Sequence, residues 1–221
     1  EVFTSEKLED LRGQNAYLRH VDGERPVPLS LERDISLARN QGAAIETRLQ
    51  SGWFVEPFQV EKQLLWIWGA GHVGRAMIST FAPLPDFELT WVDTCETRFP
   101  AHIPSSVTDI ANEHPASLAK FAPPNARHLI LTYSHALDLE LCHQLLSHSF
   151  GSVGLIGSAT KWARFRKRLA ELGHAAAQIE RIDCPIGDPS LGKHPQAIAI
   201  SVASTLLQDL KNNKARKDRT A

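Results

Sequence analysis

The chain has 221 residues, with 24 lysines and arginines against 25 aspartates and glutamates. This length allows one large domain with a buried core, together with a small additional region. Because the charges balance, nothing in the composition points to a nucleic acid or a membrane surface as a partner.

No apolar stretch is long enough to cross a bilayer, which takes ~20 residues, and no signal peptide is visible. Cys95, Cys142 and Cys184 are odd in number, widely separated and outside any CxxC motif. That pattern argues against a disulfide framework and against a structural zinc site. We therefore predict a cytoplasmic protein with no membrane partner.

Residues 1–62 are predicted to form a small N-terminal α+β region. The segment LSLERDISLARNQG predicts a helix that Ser30 caps and that ends near Gly42. Farther along the chain, two extended runs flank Ser51 and Gly52, and this pattern predicts a β-hairpin.

From Leu64 onward, short apolar runs alternate with helical segments, as is typical of a parallel sheet wrapped by helices. The predicted strands are Leu64 to Trp68, Phe87 to Val92, a short one near Val107, His128 to Leu131, and Val153 to Ile156. The predicted helices are Gly71 to Phe81, Pro115 to Phe121, His135 to Ser147, Ser158 to Leu172, and Pro195 to Leu210. The sequence therefore predicts an α/β, Rossmann-like domain over residues 63–211, with helices on both faces of the sheet. A charged flexible tail is expected over residues 212–221.

The segment LLWIWGAGHVGRA carries a GxGxxG motif between an apolar strand and a helix. Gly69 would make the tight turn, Gly71 would let a phosphate approach the backbone N–H groups, and Gly74 would let helix and strand pack closely. Free N–H groups at the start of the helix attract an anion. Asp93, at the end of the next strand, would accept hydrogen bonds from a ribose. His72 would lie beside the phosphate or face solvent.

Polar residues also follow the strand that ends at Leu131, in the segment TYSHALDLELC. Ligands of an open parallel sheet bind at the carboxyl ends of its strands, so this position favours function. Ser134 is placed to cap the following helix, and Asp138 is an acid of its first turn that the helix dipole favours. Neither structural role accounts for His135.

After the strand that ends at Ile156, Gly157 and Ser158 make a tight turn into a helix. Lys161 in the first turn opposes the helix dipole, and a negatively charged ligand nearby would offset that cost. By its helical spacing Lys161 shares a face with Arg164 and Arg168, although Arg168, like Arg166 and Lys167, is better explained as part of a solvated basic face.

Cys184 lies in a later proline-glycine turn, where it is either a reactive thiol or a small buried hydrophobe. The sequence contains no GxSxG elbow, HExxH helix or GxxxxGK[ST] loop, and its histidines do not form a metal-binding pattern. We therefore predict no catalytic machinery.

Five motifs in order, LWIWGAGHVGRA, WVDTCETRFP, YSHALDLELC, VGLIGSATKWARFRKRL and DCPIGDPSLGKHPQAIAISVASTLL, resemble the xanthine dehydrogenase accessory protein family of the XdhC/CoxI type. The resemblance implies a chaperone that binds the molybdenum cofactor (molybdopterin), supports its sulfuration with a cysteine desulfurase and delivers it to apo xanthine dehydrogenase. A homodimer is also expected. The residues implied to line one edge of the sheet are Gly69, Gly71, His72, Gly74, Asp93, Ser134, His135, Asp138, Gly157, Ser158, Lys161, Cys184, Gly187 and Lys193.

Two alternatives remain open from the residues alone. The first is an NAD(P)-dependent oxidoreductase with His135 as acid or base. Such an enzyme needs a sizeable substrate domain, and the N-terminal region is short for that purpose. The second is a nucleotide-sensing regulatory domain, which would bind no molybdenum.

Overall fold

A computed structural model of the chain describes residues 16–22, 26–41, 45–57 and 62–220. The chain forms two compact units, which divide between Glu61 and Lys62.

The first unit contains three strands and one helix: β1 (Ala16–His20), α1 (Leu29–Gln41), β2 (Arg48–Gln50) and β3 (Trp53–Pro57). The strands form an antiparallel sheet in the order β1-β3-β2. The predicted hairpin is confirmed, and its two turn residues, Ser51 and Gly52, have the positive φ angles that a tight hairpin turn requires. Ala16, Leu31 and Val55 form the buried core of this unit.

The structure corrects one detail of α1. The helix begins at Leu29, so Ser30 lies inside its first turn and not at the N-cap. The Ser30 hydroxyl accepts a hydrogen bond of 2.9 Å from the side-chain amide of Gln50. The predicted end of the helix at Gly42 lies outside the described residues.

The second unit is built on a six-stranded parallel sheet. Its strands are β4 (Gln63–Trp68), β5 (Phe87–Asp93), β6 (Val107–Ala111), β7 (Arg127–Ile130), β8 (Ser152–Leu155) and β9 (Ile182–Asp183). They lie in the order β6-β5-β4-β7-β8-β9. The chain moves outward from β4 to β6 and then returns to the other side of β4 at β7. This reversal opens a crevice at the carboxyl ends of β4 and β7, where ligands of such sheets bind.

Helices cover both faces of this sheet, as predicted. They are α2 (His72–Phe81), α3 (His135–Leu146), α4 (Ala159–Glu171), α5 (Ala176–Ile179) and α6 (Pro195–Thr220). Short 3₁₀ helices span Glu96–Arg98, Pro115–Phe121 and Pro189–Leu191. The last helix runs on to Thr220, so its backbone is helical where we predicted a flexible tail.

The alternation of side chains along β4 explains how the two faces form. Leu65 and Ile67 point to a core shared with α2 and α6, whereas Trp68 points to a core shared with α3 and α4. Both cores are apolar, as a sheet covered on two faces requires. In the part of the chain that the structure describes, no helix has the length and hydropathy needed to span a membrane.

Candidate functional site

Two clefts open at the carboxyl edge of the sheet, where the strand order reverses. The larger, of about 430 Å³, we call the glycine cleft; it is lined by Ala70, Gly71, His72, Arg75, Thr97, Arg98 and Tyr133. The smaller, of about 290 Å³, we call the lysine cleft; it is lined by Thr132, Tyr133, His135, Ile156, Gly157, Ser158, Lys161 and Arg164. Tyr133 lines both, so the clefts are neighbours.

The three motif glycines have three different structural roles. Gly69 has a φ of +117°, and a side chain there would lie 2.6 Å from the carbonyl oxygen of Leu131. A Cβ atom on Gly74 would lie 1.9 Å from the carbonyl oxygen of Gly69. Gly71 differs, because a Cβ atom there would have no neighbour within 4 Å. Gly69 and Gly74 thus make the turn and the close packing that we predicted, while Gly71 borders open space in the glycine cleft.

The helices α2, α3 and α4 begin at this edge, and α2 differs from the other two because no described side chain caps its N-terminus. Ser134 caps α3 by accepting the N–H of Leu137 at 3.4 Å, and Ser158 caps α4 by accepting the N–H of Lys161 at 3.1 Å. The N-cap of α2 is Gly71, which has no side chain to do this. The N–H groups at the start of α2 therefore remain available to an anion in the glycine cleft.

We predicted that the Asp93 carboxylate would bind a ribose, but in the structure it binds other groups of the protein. Its carboxylate is only 3% exposed. One oxygen, Oδ2, accepts the backbone N–H of Ala70 at 2.5 Å. The other, Oδ1, accepts the N–H and the hydroxyl of Thr94 and the Nε–H of Arg98, the last at 3.1 Å. Asp93 therefore joins the glycine loop to the turn after β5 and is not open to a ligand.

Two arginines line the glycine cleft, and Arg75 is the one whose partners among the described residues are uncharged. Arg75 donates to the carbonyl oxygens of Ala70 at 3.1 Å and Arg98 at 2.8 Å. The Arg98 guanidinium pairs with Asp93 and lies 4.1 Å from the centroid of the Tyr133 ring. Since no carboxylate is among the described residues that line this cleft, its surface suits an anion.

Lys161 has its counter-charge within the protein, which corrects the prediction of an anionic ligand opposite it. Its ammonium donates to Oδ2 of Asp138 at 2.6 Å and to the carbonyl oxygen of Ile156 at 2.8 Å. Oδ1 of Asp138 accepts the N–H and the hydroxyl of Thr132 at 3.1 and 2.7 Å. Both charged side chains are buried. The pair ties together the segments that follow β7 and β8, and Asp138 is not itself a wall of either cleft.

Cys184 is a half-buried thiol that lines neither cleft. Its Sγ lies 3.3 Å from the position that a Cβ atom on Gly157 would take. Burial raises the pKa of Cys184 to about 11; Lys161 opposes the rise and Asp138 adds to it. The side chain is therefore a neutral thiol near pH 7, which favours the second of our two interpretations, a small packed residue.

The other predicted site residues divide into two groups. His72 and His135 are exposed and line the glycine and lysine clefts, so the structure brings them to the predicted edge. Gly187, with a φ of +78°, packs beside Ser201, and Lys193 is exposed; neither lines a cleft.

Several lining residues were not among the predicted site residues, although Arg164 was noted on the face of Lys161. They are Arg75, Thr97, Arg98, Thr132, Tyr133 and Arg164. All lie within or beside the strand-end motifs, which was the signal available. Only the fold shows which of them point into the clefts.

A metal site is a separate question. Among the described residues, no three His, Cys, Asp or Glu side chains are grouped so that they could hold a metal ion.

Comparisons with known proteins identify the family. Residues 65–206 match the family model for the XdhC Rossmann domain. The chain is 32% identical over 146 residues to YqeB of Escherichia coli K12, a protein described as uncharacterized. This match covers 66% of the chain and 27% of YqeB.

A xanthine dehydrogenase from Bacillus halodurans, known from a crystal structure, shares the fold. It matches with a TM-score of 0.60 and 19% identity, covering 95% of this chain and 66% of that one. At this level of identity the likeness concerns the fold alone. The chain belongs to the XdhC Rossmann domain family, and it spans only part of the length of the proteins it matches.

Proposed function

We propose that this member of the XdhC Rossmann domain family is an accessory protein of xanthine dehydrogenase, and that it binds the molybdenum cofactor across the glycine and lysine clefts. The observation that carries the proposal is the glycine cleft itself. It combines the uncapped start of α2 with Arg75 and Arg98, and the described residues of its lining include no carboxylate. Such a surface favours a phosphate group.

The residues of the glycine cleft fit the phosphate of molybdopterin. Backbone N–H groups, two guanidinium groups and the imidazole of His72 are all able to donate hydrogen bonds to phosphate oxygens. The open space beside Gly71 lets such a group come close to the backbone. The cofactor would supply the molybdenum atom, and this chain would supply anion binding and shielding.

A dinucleotide fits less well. The Rossmann arrangement for NAD uses a free carboxylate at the end of the second strand to bind the ribose hydroxyls. Here the carboxylate of Asp93 is buried and bonded to Ala70, Thr94 and Arg98. The NAD(P)-dependent alternative would have to break these bonds or do without the ribose contact.

The proposed partners follow from the family. We propose apo xanthine dehydrogenase as the recipient of the cofactor and a cysteine desulfurase as the sulfur donor, with a homodimer as the working form. Cys184 has no part in sulfur transfer in this proposal, because it is protonated near pH 7 and lies outside both clefts. Sedimentation velocity tests the dimer.

The test is to purify the full chain from cells that make the cofactor. Molybdenum is measured by elemental analysis, and bound pterin by the fluorescence of its oxidised product, form A. We expect both in the wild type and about a tenfold lower content in Arg75→Ala, since a charged hydrogen bond to phosphate contributes about 1.5–3 kcal/mol. Arg166→Ala is the matched control, because Arg166 is exposed on α4 and lines neither cleft.

Two results would count against the proposal. One is the absence of both molybdenum and pterin together with tight binding of NADH. The other is an equal loss of bound pterin in Arg75→Ala and Arg166→Ala, which would show that the positive charge of Arg75 in the glycine cleft does not contribute to binding.

A further inference from the structure

Tyr133 lies between the two clefts and is an exposed aromatic residue. Its accessible fraction is 63%, and it lines both clefts. The guanidinium of Arg98 lies over its ring at 4.1 Å from the centroid. Arg98 lines the glycine cleft and is not among the residues that line the lysine cleft.

A chain of contacts connects the Tyr133 ring to the glycine loop through Arg98 and Asp93. Oδ2 of Asp93 binds the N–H of Ala70, and Oδ1 of the same carboxylate binds Nε of Arg98. Arg98 in turn contacts the Tyr133 ring. A buried carboxylate and a cation therefore fix the exposed ring relative to the loop that borders the glycine cleft.

The lysine cleft, like its neighbour, combines a cation that is paired with a buried carboxylate and, within the described part of the chain, an arginine that is not, and it differs in its additional polar donors. The charge of Lys161 is neutralised by Asp138, and two of the three N–H donors of its ammonium are used by Asp138 and Ile156. The ammonium also lies 5.2 Å from the centroid of the Phe165 ring, and Ser158, whose hydroxyl oxygen accepts the N–H of Lys161, keeps a hydroxyl hydrogen that it can donate. Arg164 adds an exposed guanidinium on the same helix. These donors suit the carbonyl oxygen or ring nitrogen of a neutral planar ring.

From these observations we infer that a planar heteroaromatic ring stacks on Tyr133 in the lysine cleft, while a phosphate attached to that ring occupies the glycine cleft. The assignment of the ring as a pterin rests on the proposed function. The stacking itself rests on Tyr133, Arg98 and the polar lining. Tyr133 is then the residue that selects a ring-bearing ligand over a simple anion.

The experiment measures the affinity of three probes for the full chain: form A, which is a pterin carrying a phosphate; AMP, which carries a purine; and inorganic pyrophosphate, which has no ring. Titrations are made on the wild type, Tyr133→Ala and Tyr133→Phe. Phe121→Ala is the matched control, because Phe121 is also exposed, at 68%, carries Lys120 over its ring and lines neither cleft.

We expect Tyr133→Ala to weaken form A binding by about tenfold or more, the usual effect of removing one stacking ring. Tyr133→Phe and Phe121→Ala should stay within about twofold of the wild type, since each keeps the stacking ring. Pyrophosphate should bind the wild type and Tyr133→Ala equally. The fluorescence of bound form A should be quenched by the tyrosine and recover in Tyr133→Ala at saturation.

Each result decides between the two proposals. Equal affinity of form A for the wild type and Tyr133→Ala would overturn the stacking and leave the cofactor proposal standing. Binding of AMP but not form A, with the same dependence on Tyr133, would support the stacking and overturn the pterin assignment. Failure of both ring-bearing probes to bind, or an equal loss of pyrophosphate binding in Tyr133→Ala, would overturn the inference.

Discussion

The ammonium of Lys161 and the carboxylate of Asp138 meet at 2.6 Å, with both side chains buried. Each residue lies in the first turn of a helix, α4 and α3, and these helices follow the neighbouring strands β8 and β7. The pair thus joins two loops of the site from beneath, and an unpaired charge at either position would be costly in this environment.

We predict that Lys161→Met lowers the free energy of unfolding by about 3–5 kcal/mol, because it leaves the buried carboxylate of Asp138 without a counter-ion. The double variant Lys161→Met, Asp138→Leu should recover much of this loss, although Thr132 then loses its acceptor. Urea unfolding followed by tryptophan fluorescence measures the effect. Arg166→Met, on the exposed face of the same helix, is the control and should stay within about 0.5 kcal/mol. A cost below about 1 kcal/mol for Lys161→Met would contradict the structural role of the pair.

Substitutions at two glycines of the loop should have different effects: Gly74→Ala should lower stability, and Gly71→Ala should lower affinity for the ligand. In Gly74→Ala the new methyl group would overlap the carbonyl oxygen of Gly69, and we expect a loss of about 2 kcal/mol or more in unfolding free energy. In Gly71→Ala the methyl group meets no protein atom and enters the glycine cleft, so stability should change by less than about 1 kcal/mol. Affinity for form A should nevertheless fall in Gly71→Ala. Urea unfolding and form A titration of both variants provide the comparison, and a well-folded Gly74→Ala would speak against the close packing.

His128 should make the second unit sensitive to acid. It is fully buried; its Nδ1 accepts the indole N–H of Trp68, and its Nε2 has no hydrogen-bond partner among the described residues. Burial, with a smaller effect of the nearby His148, lowers the pKa of His128 from 6.5 to about 3. As the pH falls from 6.5 towards 3, the unfolded chain takes up this proton and the folded chain does not. Stability should therefore fall by up to about 1.4 kcal/mol per pH unit in that window.

The test is to measure urea unfolding between these two pH values. His128→Leu should be less stable near pH 7, because Trp68 loses its acceptor, but its stability should depend less on pH below 6.5. Leu129→Ala, at the next position of β7, is the control: it should lower stability without changing the slope. Identical slopes for His128→Leu and the wild type would refute the assignment.

The three cysteines should react with iodoacetamide in a fixed order. Cys95 is exposed, so it should be labelled first at about pH 8. Cys184 should become reactive only as the pH approaches the value of about 11 to which burial raises its pKa. Cys142 is buried, and burial raises its pKa further still, so it should stay unlabelled in the folded protein. Peptide mass spectrometry after quenching measures each rate, with urea-unfolded protein as the control. Equal rates for Cys95 and Cys184 at about pH 8 would count against a protonated, packed Cys184.

Much of the sheet could be predicted because its strands are short apolar runs that end in glycine or polar turns. The prediction of Leu64 to Trp68 differs from β4 by one residue, and of the two predicted serine caps Ser134 is confirmed and Ser30 is wrong. In contrast, β9 has two residues, too few to leave a periodic pattern. The segment Pro115–Phe121 was predicted as a helix and forms a 3₁₀ helix, a distinction that composition does not make.

The site was harder to predict because its electrostatics depend on pairs that are distant in sequence. Lys161 was correctly expected to need an anion, but Asp138 supplies it from 23 positions away. The partnership becomes visible only when β7 and β8 are known to be neighbours. Tyr133 lies in a motif that we singled out, yet its place between two clefts depends on how the turns after β5 and β7 meet.

The carbonyl oxygen of Gly69 accepts the indole N–H of Trp91 at 3.0 Å and excludes any side chain at Gly74. Gly69, Gly74 and Trp91 are therefore constrained by the backbone of the loop, whatever the loop binds. A relative could lose the ligand altogether and still retain these three residues. When this family is surveyed for members that have changed their ligand, Gly69 and Gly74 will be uninformative, and the positions to compare are Gly71 and Tyr133, which border the clefts.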